Sequence, residues 1–300
     1  MSVKSNKPLY HHASELLKIR QLKGLEFRAR LKEYSQPVQK DLWDRIFVYI
    51  DLIFVFILLG QSLLGFWIQP FEILFALVLL PITLFTADVI GQVFHKALDT
   101  YAGEEHVFWG KAAQEFRKHH ENPANLNHVS YINHLAAFGK LMLPMFIICL
   151  FFDWTQNPAW GANLTLLLFV LLNATEIHKQ AHLQKPHPLA QVLQKLGLMI
   201  NKKDHSRHHQ APFDCCYSVV NGWSQRLFDG TGFWKKMDLF FWNKFKKMPR
   251  IWIQDPRAIP ATVYAELKNN PQLIPEDLII YSDVFSHRKS NELKNLLYRD

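Results

Sequence analysis

The sequence has 300 residues, 49% of them hydrophobic, with a formal net charge of +8 and only three cysteines. Cys149 lies in an apolar run, Cys215 and Cys216 are adjacent, and no Cys-x-x-Cys pair exists. Nothing in the cysteine pattern supports a disulfide framework, and the polar parts are expected to face a reducing compartment. A basic balance of this size in a soluble chain would point to nucleic acid, but here the charge is sorted around apolar segments, which argues for a membrane protein with no nucleic-acid partner.

Residues 1–45 are polar and basic, and the first apolar run begins only near Ile46, so no cleavable signal peptide is expected. Within them Leu16, Leu17, Ile19, Leu22, Leu25 and Phe27 alternate with lysines and arginines, as in an amphipathic helix on an anionic membrane surface or an ordinary solvated helix. Gly24 weakens that helix by about 1 kcal/mol relative to alanine.

Four apolar segments follow at residues 46–68, 71–91, 135–152 and 160–177, each near the ~20 residues that cross a bilayer. The expected fold is an all-α membrane protein of about four transmembrane helices. Gln69-Pro70 joins the first two as a tight hairpin. Asp51 and Asp88 lie within these segments and are expected to face the bundle or an interface, Asp51 as a structural hydrogen-bond partner. Neither the turn at Gln69-Pro70 nor that at 153–157 carries a lysine or arginine. The positive-inside rule therefore places both termini, the 94–134 connection and everything after His178 on the cytosolic side.

Phe233-Trp234-Lys235-Lys236 and Trp242 through Lys247 mix aromatic and cationic residues in a way suited to a membrane interface. Beyond Ile251, four prolines break a polar tail expected to form a small appendage. The organisation expected is a basic extension over 1–45, a membrane unit over 46–239 and a C-terminal extension over 240–300.

The histidines point to chemistry. His205, His208 and His209 form a His-x-x-His-His cluster whose imidazoles, on a helical turn, are expected to converge on one point. His95, with Asp99 four residues on, follows the second apolar segment. His119, His120, His128 and His134 precede the third, and His178 and His182 leave the fourth on one helical face. All fall at one end of the apolar segments. Neutral imidazole binds transition metals well, and more than six such ligands exceed one ion, so two metals are expected in a His-rich helical cap on the cytosolic side. Adjacent His119 and His120 diverge on a helix, and so are expected to serve different metals or to leave one outside the ligand set. A transporter would carry ligands near the midplane, a haem protein would need histidines inside the apolar segments, and a structural zinc site would need only four ligands.

These stretches resemble the plasmanylethanolamine desaturase (Kua) group of membrane lipid desaturases, which includes the plant plastid phosphatidylglycerol desaturase. The resemblance is carried by His95 with Asp99 and Thr100; Phe116, His119, His120 and Pro123; Glu176, His178, Lys179 and His182; and His205, His208, His209 and Pro212. Tyr217, Gly222-Trp223 and Phe233-Trp234 continue it, over residues 86–238. Lys96 and Gln180 stand where that group often has tryptophan, and Tyr101 replaces another. The resemblance implies an oxidoreductase that uses two iron ions and dioxygen to place a double bond in a lipid-borne acyl or alkyl chain. It assigns His95, Asp99, His119, His120, His128, His178, His182, His205, His208 and His209 to the metal centre, with no catalytic residue apart from these. It further implies a membrane lipid substrate and an electron donor such as cytochrome b5 or a ferredoxin. A hydroxylase with the same centre and a non-catalytic metal-binding membrane protein are the alternatives.

Overall fold

The structure, a computed structural model, describes residues 40–104, 106–121, 126–127, 129–210, 213–254, 258–270 and 273. The expected amphipathic helix near the N-terminus, His128 and most of the tail lie outside the described residues. Among those described, every regular element is a helix.

Four antiparallel helical segments make a bundle. α1 (Leu42–Ile68) opens with a capping box, Asp41 accepting from the Asp44 N–H and Asp44 from that of Asp41, which satisfies two otherwise free backbone donors. α2 (Glu72–Thr100) follows the Gln69-Pro70 turn. α3 (Gly110–Glu121) is a short amphipathic helix outside the bundle, and α4 (Tyr131–Cys149) returns beside α1. α5 (Pro158–Leu172) packs against both α1 and α2, and α6 (Ala174–His182) continues it after a 52° bend. The bend falls at Asn173, whose amide donates to the Phe169 carbonyl at 2.8 Å and whose side-chain oxygen accepts from Tyr131 at 2.6 Å. Such a side chain competes with the backbone ladder and breaks a helix.

Of the four expected spans, two or three stand by length and composition among the described residues. α1 and α2 are long and apolar enough to cross a membrane, and the bent α5–α6 pair adds a third span if counted as one. In α4 only Phe138–Cys149 is apolar, because Asn133 and His134 make its first turn polar. The bundle ends are sorted as the sequence implied. Gln69 donates to the Thr155 carbonyl at 3.0 Å, so the two turns that lack lysine and arginine meet at one end. At the other end, Asp44 receives Lys111 at 2.6 Å and Lys140 at 2.7 Å.

The two acids within apolar helices behave differently. Asp88 accepts from the Ser218 and Ser224 hydroxyls, from the Asn221, Gly222 and Ser224 N–H groups and from Gln92. It thereby ties the 218–224 loop to α2. Gly91 allows the same approach, since a Cβ there would meet Val220 at 3.1 Å. Asp51 is fully buried beside Gly139, and neither of its oxygens has a hydrogen-bond partner, contrary to its expected role.

Four short helices finish the site end. α7 (Pro188–Lys195), α8 (Lys202–Ser206) and α9 (Gln225–Gly230) lead into α10 (Phe233–Phe245), which runs through the boundary expected at 239/240. α10 buries Trp234, Asp238 and Trp242. Trp242 joins Met248, Trp252, Val263 and Leu267 in a separate apolar cluster built with α11 (Arg250–Gln254) and α12 (Ala261–Asn269). The unusual Lys96 and Tyr101 find a joint explanation here. Lys96, fully buried on α2, donates to Asp238 at 2.9 Å and to the Tyr217 hydroxyl at 3.1 Å, and Tyr101 donates to Asp238 at 2.6 Å.

Candidate metal centre

The site is built where α2, α3, α6 and α8 end together, and it consists of two adjoining donor sets. His119, His178, His182, His205 and His209 form one, and His95, Asp99, His120 and His208 the other; within each, one donor atom per residue lies within 4.8 Å of all the others. Helical spacing explains the pairs on single elements: His95 with Asp99 and His178 with His182 are four apart and share a face. α3 contributes to both sets, because adjacent side chains on a helix point about 100° apart. His119 joins the five-histidine set and His120 the set around Asp99. The His-x-x-His-His cluster is likewise divided. α8 is only five residues long, and the turn after it sends His205 and His209 to one set and His208 to the other, so the three do not converge on one point.

Asp99 organises its set. Its Oδ2 lies 3.0 Å from His95 Nε2, 3.1 Å from His120 Nε2 and 3.0 Å from His208 Nε2. In the other set the Nε2 atoms of His178, His182 and His205 form a triangle with sides of 2.8, 3.0 and 3.1 Å, and His209 Nε2 is 3.1 Å from that of His205. Three mutually facing imidazole nitrogens cannot all be satisfied by hydrogen bonds, since each neutral ring nitrogen is either one donor or one acceptor. Converging lone pairs around a cation satisfy them all. Metal–imidazole bonds of about 2.0–2.1 Å put nitrogens at right angles about 3.0 Å apart and at the tetrahedral angle about 3.4 Å apart. The observed separations are those of nitrogens that one cation could hold in common. His119 Nε2, buried and without a hydrogen-bond partner, is a further free donor atom of this set.

The remaining ring nitrogens show how the donor atoms are oriented. His95 Nδ1 donates to the Tyr217 carbonyl at 2.8 Å and His208 Nδ1 to the Cys215 carbonyl at 3.0 Å. Each bond fixes the tautomer that leaves Nε2 as a lone pair facing Asp99. The 213–217 loop that presents both carbonyls takes left-handed backbone at Phe213 (φ 61°) and Cys216 (φ 62°), a conformation costing about 1–2 kcal/mol per non-glycine residue. Asp88 and its loop bonds hold the adjoining segment in place. Sequence reading missed these carbonyls, because a backbone acceptor carries no residue-type signature.

Burial favours the neutral form of four of the imidazoles. It holds His119 and His205 well below the usual histidine range, pushes His209 down as well and lowers His208 to about 3; neighbouring histidines add to the effect in each case. Neutral rings are the ligating form. Of the residues expected at the centre, the structure brings together all but His128, which lies outside the described residues. His134 stands aside, its Nδ1 3.3 Å from the Thr175 carbonyl. Cys215, Cys216 and Asp229 form a smaller cluster behind His208.

Residues 84–252 match the lipid desaturase domain. Curated relatives include the chloroplastic fatty acid desaturase 4-like 1 of Arabidopsis thaliana, 25% identical over 230 residues that cover 74% of this chain and 75% of that protein. The plasmanylethanolamine desaturase of Myxococcus xanthus is 26% identical over 60% of this chain and 63% of its own length. Plasmanylethanolamine desaturase 1 of Mus musculus is 26% identical over 51% and 59%. No solved structure matches.

Proposed function

The chain belongs to the lipid desaturase family, and from that premise we propose that it is a membrane oxidoreductase that inserts a double bond into an acyl or alkyl chain of a lipid. The observation that carries this reading is the pair of adjoining donor sets, nine side chains converging beyond the ends of apolar helices.

Adjacent saturated carbons have no acidic proton, so side-chain acid–base chemistry cannot remove their hydrogens and an oxidising cofactor must. Two iron ions, one in each donor set, would supply that oxidising power with dioxygen. His119, His178, His182, His205 and His209 would hold one ion, and His95, His120 and His208 with Asp99 the other. Asp99 would offset cationic charge in the second set. The Cys215 and Tyr217 carbonyls would keep His208 and His95 oriented whether or not substrate is bound. Phe116, buried against His95 and His178, would keep water from the reacting carbons. Reduction of dioxygen to two waters alongside removal of two hydrogens requires two electrons and two protons from outside. The exposed Lys202, Lys203 and Arg207 beside the cluster favour an acidic electron carrier such as cytochrome b5 or a ferredoxin.

The test combines metal analysis with lipid mass spectrometry. Purified protein is expected to carry close to two irons per chain, and cells expressing it to accumulate a lipid two hydrogens lighter than its precursor. His182→Ala and His208→Ala are each expected to abolish that product. A hydroxylated lipid in its place would assign the centre to hydroxylation, and stoichiometric zinc without iron would exclude both.

A further inference from the structure

An apolar crevice runs from the metal centre into the bundle. His95 and Phe116 lie at its mouth, and Ile90, Phe94, Phe138, Met142 and Leu171 form its walls. It holds about 300 Å³ of free space counted to its open side. The direction follows from the helices. Ile90 precedes His95 by five residues, about 7.5 Å along α2, Met142 lies eleven residues, about 16 Å, from the start of α4, and Leu171 precedes His178 by seven residues across the bend at Asn173. The crevice therefore follows the bundle axis away from the histidines.

Its position reflects a gap in helix packing. α4 packs on α1 and touches α5, and α5 packs on α1 and α2, but α2 and α4 do not pack closely on each other. The seam between them is spanned by Phe94 and Phe138, edge to face with ring centroids 6.2 Å apart. Phe138 is buried, whereas Phe94 is 37% exposed, and Val93 beside it on α2 and Met145 and Ile148 on α4 are exposed as well. These exposed residues belong to the apolar surface of a span-length helix and its neighbour.

We infer that this crevice is the binding slot for one hydrocarbon chain of a bilayer lipid, which enters sideways between α2 and α4 by parting Phe94 from Phe138. The inference rests on the reading of the centre as one that acts on lipid chains. Walls without polar groups offer nothing to a headgroup, and the slot widens to take a chain as Phe94 parts from Phe138. One end of the slot meets the ligand His95, and its side opens on the flank that faces hydrocarbon. A chain can thus reach the centre without leaving the apolar phase, while its headgroup stays at the interface. Met142 and Leu171, at the deep end, set how far the chain reaches past His95, and with it which carbons stand beside the centre.

Photolabelling reads the slot independently of turnover. The full chain is placed in phosphatidylcholine nanodiscs doped with a phospholipid bearing a diazirine in its acyl chain, irradiated and mapped by peptide mass spectrometry. Labels are expected on Phe138, Met142 and Leu171, which are buried and cannot be reached from the bilayer unless a chain enters. Met142→Trp is expected to lose the label at Leu171 while labels on Val93 and Ile148 persist. Leu171→Phe, a smaller change, is expected to lose the label at Met142, with the iron content of both variants unchanged. Labels confined to Val93, Ile148 and other exposed positions would overturn the slot, even if the protein desaturates lipids. Slot labelling by a water-soluble acyl thioester probe but not by the phospholipid would overturn access from the bilayer. Slot labelling in a protein that forms no unsaturated product would leave the slot standing and remove the desaturase reading.

Discussion

His119 and His120 are neighbours in sequence, yet their side chains serve the two different donor sets, with ring centroids 4.5 Å apart and planes inclined by 53°. The peptide between them is thus a short covalent link across the centre. His119→Ala and His120→Ala are each expected to lower bound iron from two per chain toward one, and the double variant toward none. Loss of a first ligand weakens metal affinity at least as much as the 10–100-fold typical of outer-shell changes. Elemental analysis of purified protein checks this, and unchanged iron in both single variants would refute the divided assignment.

Lys96 and Asp238 form a buried pair that fastens α10 to α2. Lys96→Met is expected to destabilise the protein by about 3–5 kcal/mol, because it strips a buried carboxylate of its cation. The double variant Lys96→Met with Asp238→Leu is expected to recover most of that loss, since two apolar groups leave no charge unpaired. Denaturant unfolding in mixed micelles measures both, and an additive double variant would show that the two residues are not coupled.

Acid is expected to destabilise the metal-free protein. His208 is lowered from 6.5 to about 3 in the fold, and burial depresses His119, His205 and His209 in the same direction. Between those values the unfolded chain binds protons that the native state does not, so stability rises with pH across this window and levels off above about 6.5. Melting of chelator-treated protein at pH 8 and pH 5 tests the sign: the lower melting temperature is expected at pH 5. Equal values would mean that the imidazoles are not held neutral.

The sorting of charge predicts sidedness. In a Cys215→Ser background, cysteines placed at Ser130 and Asn157 are expected to react with an impermeant thiol reagent from opposite sides of the membrane, Ser130 from the cytosolic side. Labelling from the same side would mean that α4 does not cross.

The sequence by itself determined the all-helical character, the collection of histidines at one end of the apolar segments and the pairs spaced four apart. These are local properties: hydropathy reports which stretches leave water, and helical periodicity reports which side chains share a face. It also marked Asp88 as an acid that must be satisfied, although the partners waiting at Ser218 through Ser224 lie some 130 residues away. Only the tertiary structure decided which histidine joins which set. The division of His208 from His205 and His209 depends on where a five-residue helix ends, and the role of Asp99 depends on three imidazoles arriving from separate elements. The bend at Asn173, the carbonyls of Cys215 and Tyr217, and the seam between Phe94 and Phe138 were equally hidden. Each arises from contacts between residues distant in the chain, and no local pattern of residue types specifies where a backbone carbonyl or a gap between helices will fall.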